Sequence, residues 1–445
     1  MKTASKLIFV FSVIFACCSQ SVAEPTASPS DLAALTQQAA KGDAKAQYDL
    51  GAMHLNGDGV ELDLIKARQL FAKAAAQGYA KAQHNLGFMY YKGEGGERNL
   101  AKARELYTKA AAQGYAKAQN NLGAMYDKGE GGDRDLAKAK ELFAKAAAQG
   151  YAYAQYNLGV MYDKGEGGER NLPKARELYT KAAAQGYAKA QYGLGAMYEN
   201  GEGGEPNLAK ARELYTQAAA QGDTKAQNNL GAMYYKGEGG ERNLTKAKEL
   251  FAKASAQGLA KAQYNLGLMY EKGEGGERSL TKARELFAQA AAQGYADAQY
   301  NLGLMYYKEE GGERNLTKAR ELFAKAAAQG DAKAQYNLGI MYSQGEGGER
   351  NLTKARELFA QAAAQGYADA QYNLGLMYYK EEGGERNLTK ARELYTQAAA
   401  QEDADAQYAL GKMYRDGEGG DRNLVKAKEL FAKAAAQGYP GGASK

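Results

Sequence analysis

Eight tyrosines share one register of the chain: Tyr48, Tyr156, Tyr192, Tyr264, Tyr300, Tyr336, Tyr372 and Tyr408, each separated from the next by a multiple of 36 residues. His84 stands at the same register. Three residues earlier runs a charged row: Lys45, Lys81, Lys117, Lys189, Lys225, Lys261 and Lys333, with Tyr153 among them and Asp297, Asp369 and Asp405 toward the C-terminus. Four residues later runs a row that is apolar in many units: Phe88, Val160, Leu268, Leu304, Ile340 and Leu376. The Tyr91 and Lys92 positions vary in the same way. Rigid amphipathic rings flanked by charge suit recognition of an extended partner. The other use of such rings is packing on neighbouring helices alone. Charge that turns from basic to acidic would orient a partner and speed encounter rather than set affinity.

Other motif-like stretches dissolve under the same period. Ser279-Leu-Thr-Lys282 matches an acyl-enzyme pattern, but its counterparts read Asn-Leu-Thr-Lys, so Ser279 reads as a helix cap. Asn243-Leu-Thr245, Asn315-Leu-Thr317, Asn351-Leu-Thr353 and Asn387-Leu-Thr389 are formal glycosylation sequons, and capping is the simpler reading of those asparagines. Gly93-Glu-Gly-Gly follows a helix and lacks Gly-Lys-Ser/Thr, so it is a turn and not a phosphate cradle. Glu94 and Glu97 do not alternate as a calcium loop requires. His54 and His84, the only histidines, stand at different repeat positions and form neither a triad nor a metal site. No catalytic residue, cofactor or metal site is expected, and the chain does not read as an enzyme.

The elements that position these rows are helices. The pair Ala82-Gln83 returns at Ala46, Ala118, Ala154, Ala190, Ala226, Ala262, Ala298, Ala334, Ala370 and Ala406, always 36 residues apart. A fixed period of this size is the signature of a solenoid. Helix A of the second unit is predicted over Ala80 to Lys92, with Ala82, Leu86, Met89 and Tyr90 on its packing face. Gly87 within it costs about 1 kcal/mol against Ala and implies close approach of a neighbouring helix. Gly93 should end the helix in the left-handed conformation. Glu309 and Glu381 replace that glycine, predicting strain or a rearranged end, and Glu402 replaces the glycine ending helix B in the tenth unit. Helix B begins after Asn99, whose counterparts are Asp, Asn or Ser, the residues that cap helix starts. Leu100, Ala103, Leu106, Tyr107 and Ala110 form its buried stripe, and Glu105 pairs with Lys109 outside.

Ala-x-Ala-Gln-x-x-Leu-Gly-x-Met-Tyr, the Gly-x-Gly turn, Lys-Ala and Ala-Ala-x-Gly together resemble the Sel-one-like repeat family, relatives of tetratricopeptide repeats. The match covers roughly residues 31–438, with eleven hits in register. The resemblance implies an all-α fold, a right-handed α-solenoid of eleven 36-residue helix-turn-helix repeats, whose A helices line a concave groove. It also implies an adaptor for proteins or peptides. On this reading the groove holds Lys81, His84, Phe88, Tyr91, Lys117, Tyr153, Tyr156, Lys189, Tyr192, Tyr264, Leu268, Asp297, Tyr300, Leu304, Tyr336, Asp369, Tyr372, Leu376, Asp405 and Tyr408.

Residues 1–23 read as a secretory signal peptide: Lys2 and Lys6, an apolar Leu7 to Ala16, then Ser21-Val22-Ala23. Cleavage there removes two lysines and no acid, taking the net charge from +6 to +4, and removes Cys17 and Cys18, the only cysteines. Lipoprotein processing at Cys17 is the competing reading, and Phe15 fits it poorly. Residues 24–30 read as a linker, 31–42 as a capping helix, 43–438 as the repeats and 439–445 as a tail. Interspersed charge argues against a nucleic-acid partner, and no transmembrane segment is expected in the mature chain. Helix 424–437 lacks a polar cap, so an uncovered apolar face is expected near Leu430 and Phe431, by fraying or by homo-association. The leading reading is an exported, non-enzymatic scaffold for protein or peptide. The alternative is a cell-envelope glycan or peptidoglycan binder, since Tyr rows can stack on sugars.

Overall fold

The computed structural model describes residues 29–439, which form twenty-three helices and no strand among the described residues. The signal peptide, Cys17, Cys18, residues 24–28 of the linker and residues 440–445 lie outside the described residues. Helix α1 (Pro29–Ala40) comes first and starts inside the stretch expected as linker. Eleven helix pairs follow at the 36-residue period, repeat 1 being 44–79 and repeat 11 being 404–439. They fall into two compact units: α1 with repeats 1–5, up to Asp223, and repeats 6–11, from Thr224.

The core explains why one repeat cannot stand alone. Helix A of repeat 2 (Ala80–Lys92) places Ala82, Leu86 and Met89 against Ala67, Phe71 and Ala74 of the preceding helix B (Leu64–Ala76). Within each unit the cores are therefore shared between neighbouring repeats, and burial of apolar surface becomes a chain of interfaces. On its other side helix A meets its own helix B (Leu100–Ala112) through Gly87, where a Cβ would come within 2.9 Å of Tyr107 Cε1. The glycine is the space for that ring.

Two polar devices repeat as regularly. Buried Gln83 donates to the Ala75 carbonyl of the preceding helix B at 3.2 Å and accepts from Gln113 at 2.8 Å. It thereby bridges the C-terminal ends of successive B helices. Arg68 lies 3.9 Å from the centre of the Tyr90 ring in the next repeat and donates to the Glu94 and Glu97 carbonyls at 3.3 Å. Lys102 approaches the same ring from its own repeat, at 5.3 Å. The glycine-rich turn can lie this close because a Cβ at Gly95 would run into the Leu64 carbonyl.

Helix ends follow the expected chemistry, the strain alternative holding at Glu309 and Glu381. Asn99 accepts from the Lys102 amide at 2.9 Å, and Ser279 accepts from Lys282 at 3.3 Å. Lys109 and Glu105 pair at 2.5 Å. Gly93 is left-handed, at φ 80°. Glu309 and Glu381 hold the same conformation, at φ 62° and 63°, so no rearranged end is found and the cost stays local. Glu402, at φ 65°, accompanies a helix B shorter by one residue (Leu388–Ala399). In the last helix (Leu424–Ala436) Leu424 and Val425 are 48% and 78% exposed, and Phe431 is half-buried where Phe359 is buried.

Candidate functional site: the helix A face

A helix advances about 100° per residue, so positions two, five, nine, twelve and thirteen of helix A form one stripe. Ala82, Leu86 and Met89 take the opposite stripe and are buried. Most of the varying residues are thus held off the buried stripe by the packing of the fixed ones; His84, Asn120 and Asn228 are buried instead.

The structure separates the expected site residues by depth. Lys81, Asp297, Asp369 and Asp405 are exposed. Lys117, Tyr153 and Lys189 are half-buried, as are Phe88, Leu268, Leu304 and Leu376. Tyr156, Tyr192, Tyr264, Tyr300, Tyr336, Tyr372 and Tyr408 are half-buried too. Their rings do both jobs, packing with one edge and facing outward with the other. Tyr300 sits 5.8 Å from Phe323 and Tyr336 sits 5.8 Å from Phe359, centre to centre.

His84 corrects the expectation. It is 5% exposed, enclosed by Tyr107 and Tyr115 and hydrogen-bonded with Asn85 and Asn121 at 3.0 and 3.1 Å. It belongs to the packing and not to an open face. Tyr91 is also committed: its hydroxyl donates to Glu130 of the next repeat at 3.2 Å. Burial, then Glu130, pushes its hydroxyl up to about 12.

One component is not apparent from the varying rows. Where an Asn follows the tyrosine position, it reaches back to the preceding repeat in the bonds that follow. Asn301 donates to the Tyr264 hydroxyl at 3.3 Å, and Asn337 and Asn373 donate to Tyr300 and Tyr336 at 3.4 Å. Asn157 donates to Asn120 at 2.9 Å in the same way. These bonds fix the rings and fill the space between adjacent A helices. The recurrence of that Asn in eight of the eleven repeats, with Asp49, Gly193 and Ala409 in the others, was the available signal.

Repeats 10 and 11 depart from this. Ala409 replaces the Asn, and a cleft of about 200 Å³ opens between Tyr372 and Tyr408. Leu376, Tyr395 and Met413 line it with Tyr379, Tyr439 and Ala409, and Asp405, Lys380 and Lys412 carry its charge. Burial, then Asp405, pushes the Tyr372 hydroxyl up to about 12, so it is protonated at neutral pH. Among the described residues no cluster of three or more His, Cys, Asp or Glu could hold a metal ion, and no helix is long and apolar enough to cross a membrane.

Comparison with known proteins agrees with the repeat geometry. A family model described as Sel1 repeat matches eleven times, at 44–79, 80–115, 116–151, 152–187, 188–223, 224–259, 260–295, 296–331, 332–367, 368–403 and 404–439. A protective antigen present in uropathogenic Escherichia coli strains, displaying an SLR fold, superposes with a TM-score of 0.82 at 38% identity, covering 92% of this chain and 88% of that one. A Sel1 repeat protein from Oxalobacter formigenes superposes with a TM-score of 0.52 at 31% identity, covering 68% of this chain and 87% of that one. A search of curated proteins returns no match.

Proposed function

Because the chain belongs to the Sel1 repeat family, whose members are generally protein-interaction scaffolds, we propose that it is an exported, non-enzymatic scaffold binding an extended protein or peptide along its helix A faces. One observation carries this reading. In eight of the eleven repeats the helix A stripe carries a half-buried tyrosine fixed by packing, between a mostly charged and a mostly apolar position. Pre-fixed rings lose little conformational freedom on binding, which is the property a recognition surface needs. The B helices carry pairs such as Glu105–Lys109 outward, a solvated arrangement. Export rests on residues 1–23 and is supported by the Escherichia coli relative, since a protective antigen is one that the host encounters.

The test is site-specific photocrosslinking of the mature full-length chain in native extract. A photoreactive residue replacing Lys81, Lys225 or Asp369 on helix A should crosslink polypeptide. One replacing Glu105 or Glu249 on helix B should not. Crosslinking from helix B alone, or from neither, would overturn the reading.

A further inference from the structure

The last two repeats break the pattern in a directed way. In repeats 8, 9 and 10 the lateral space between A helices is closed by Asn301, Asn337 and Asn373, each bonded to the tyrosine before it. Ala409 has no such group, so the space beside Tyr372 stays open as the 200 Å³ cleft. The position four residues after the tyrosine changes as well. It is Leu268, Leu304, Ile340 and Leu376 in repeats 7–10 and becomes Lys412 in repeat 11. Two substitutions therefore exchange an asparagine and an aliphatic side chain for a cavity and a cation.

The cleft has poles. Asp405 marks one end, near Asp403, whose carboxyl is raised by burial and then, against the Ala406 amide, by Asp405 and Asp369. Lys380 and Lys412 mark the other. Asp405 and Lys412 lie seven residues apart on one helix, about 10 Å along its axis. An extended peptide turns every second side chain to the same side, at about 6.6 Å per pair. One side chain could enter between the rings while those two residues before and after it reach the charged ends.

We propose that the Tyr372–Tyr408 cleft takes one aromatic side chain of an extended peptide, flanked two residues away by a cation at Asp405 and an anion at Lys380 and Lys412. This rests on the peptide-binding reading and names what one place on the face selects. The floor of Tyr395 and Met413 is apolar and fits a ring. The opposed charges reject a peptide that carries one sign on both sides, because like charges would then meet at one end.

Short capped peptides containing 4-fluorophenylalanine report binding to the mature full-length chain by fluorine NMR. The probes are Lys-Ser-Phe-Ser-Glu and its reverse order, Lys-Ser-Phe-Ser-Lys, and Glu-Ser-Phe-Ser-Glu. At least one dipolar peptide should bind about tenfold or more tighter than both like-charged ones. Ala409→Asn restores the residue of the neighbouring repeats and should cost about tenfold or more in affinity, with thermal unfolding not lowered. Lys412→Leu, also a neighbouring residue, should reduce the preference for the dipolar probes. Equal binding of all probes, or binding unchanged by Ala409→Asn, overturns the cleft assignment. It leaves the helix A faces intact as a binding surface, because the crosslinking positions at Lys81 and Lys225 do not involve the cleft.

Discussion

Arg320 lies 3.8 Å from the centre of the Tyr342 ring in the following repeat and donates through its two terminal nitrogens to the Glu346 and Glu349 carbonyls, at 3.5 and 3.1 Å. One side chain thus ties helix B of repeat 9's predecessor to both the next A helix and its glycine-rich turn. Arg320→Ala removes the ring contact and both bonds and should cost about 1–2 kcal/mol. Arg320→Lys should cost less than Arg320→Ala, since Lys140 and Lys248 occupy the equivalent position over Tyr162 and Tyr270. Urea unfolding of the two variants measures the difference.

Among the described residues, Glu309, Glu381 and Glu402 are the left-handed ones that are not glycine. Replacing each by Gly should raise stability by up to about 1 kcal/mol, the steric relief being partly offset by the greater freedom of glycine when unfolded. The triple variant should unfold at a higher temperature than the natural chain. An unchanged midpoint would mean that local hydrogen bonding already compensates.

Gly303→Ala tests the opposite kind of glycine. The added Cβ would lie 2.7 Å from Phe323 Cε1, so the helices must move apart or the ring must shift. A loss of about 1–3 kcal/mol is expected in denaturant unfolding.

The imidazole of His84 is pushed down to about 4, chiefly by burial; Asn85 opposes the shift and Lys117 adds to it. Its folded value lies below its ordinary value near 6.5, so the unfolded chain binds the proton first. Stability should be unaffected above that ordinary value and should fall as pH drops toward 4, by up to about 3 kcal/mol, then level off. His84→Tyr, the residue of most other repeats, should remove that acid-sensitive component. Parallel unfolding curves across this pH range decide it.

Much of this architecture was legible because the same physics repeats. The capping asparagines, Gly87 and the buried Ala82, Leu86 and Met89 follow from spacing alone, and each stands where the period places it. The Gln83 and Arg68 bridges were less legible, since their partners sit 8 to 30 residues away and only packing brings them together. His84 was placed by its register, but register does not report depth: the surrounding Tyr107 and Tyr115 rings bury it. The Ala409 cleft was invisible for a related reason. Ala409, like Asp49 and Gly193 at the same register, looks like drift until the missing bond to Tyr372 is seen as space.

Charge reversal on the helix A faces tests most directly whether they grip a partner. The measurement is the yield of partner captured at low salt by the mature chain and by its Lys81→Glu, Lys117→Glu, Lys189→Glu variant, both shown to be equally helical. A marked fall in yield is expected for the variant, with the difference narrowing as salt is raised. Equal capture at low salt would contradict it.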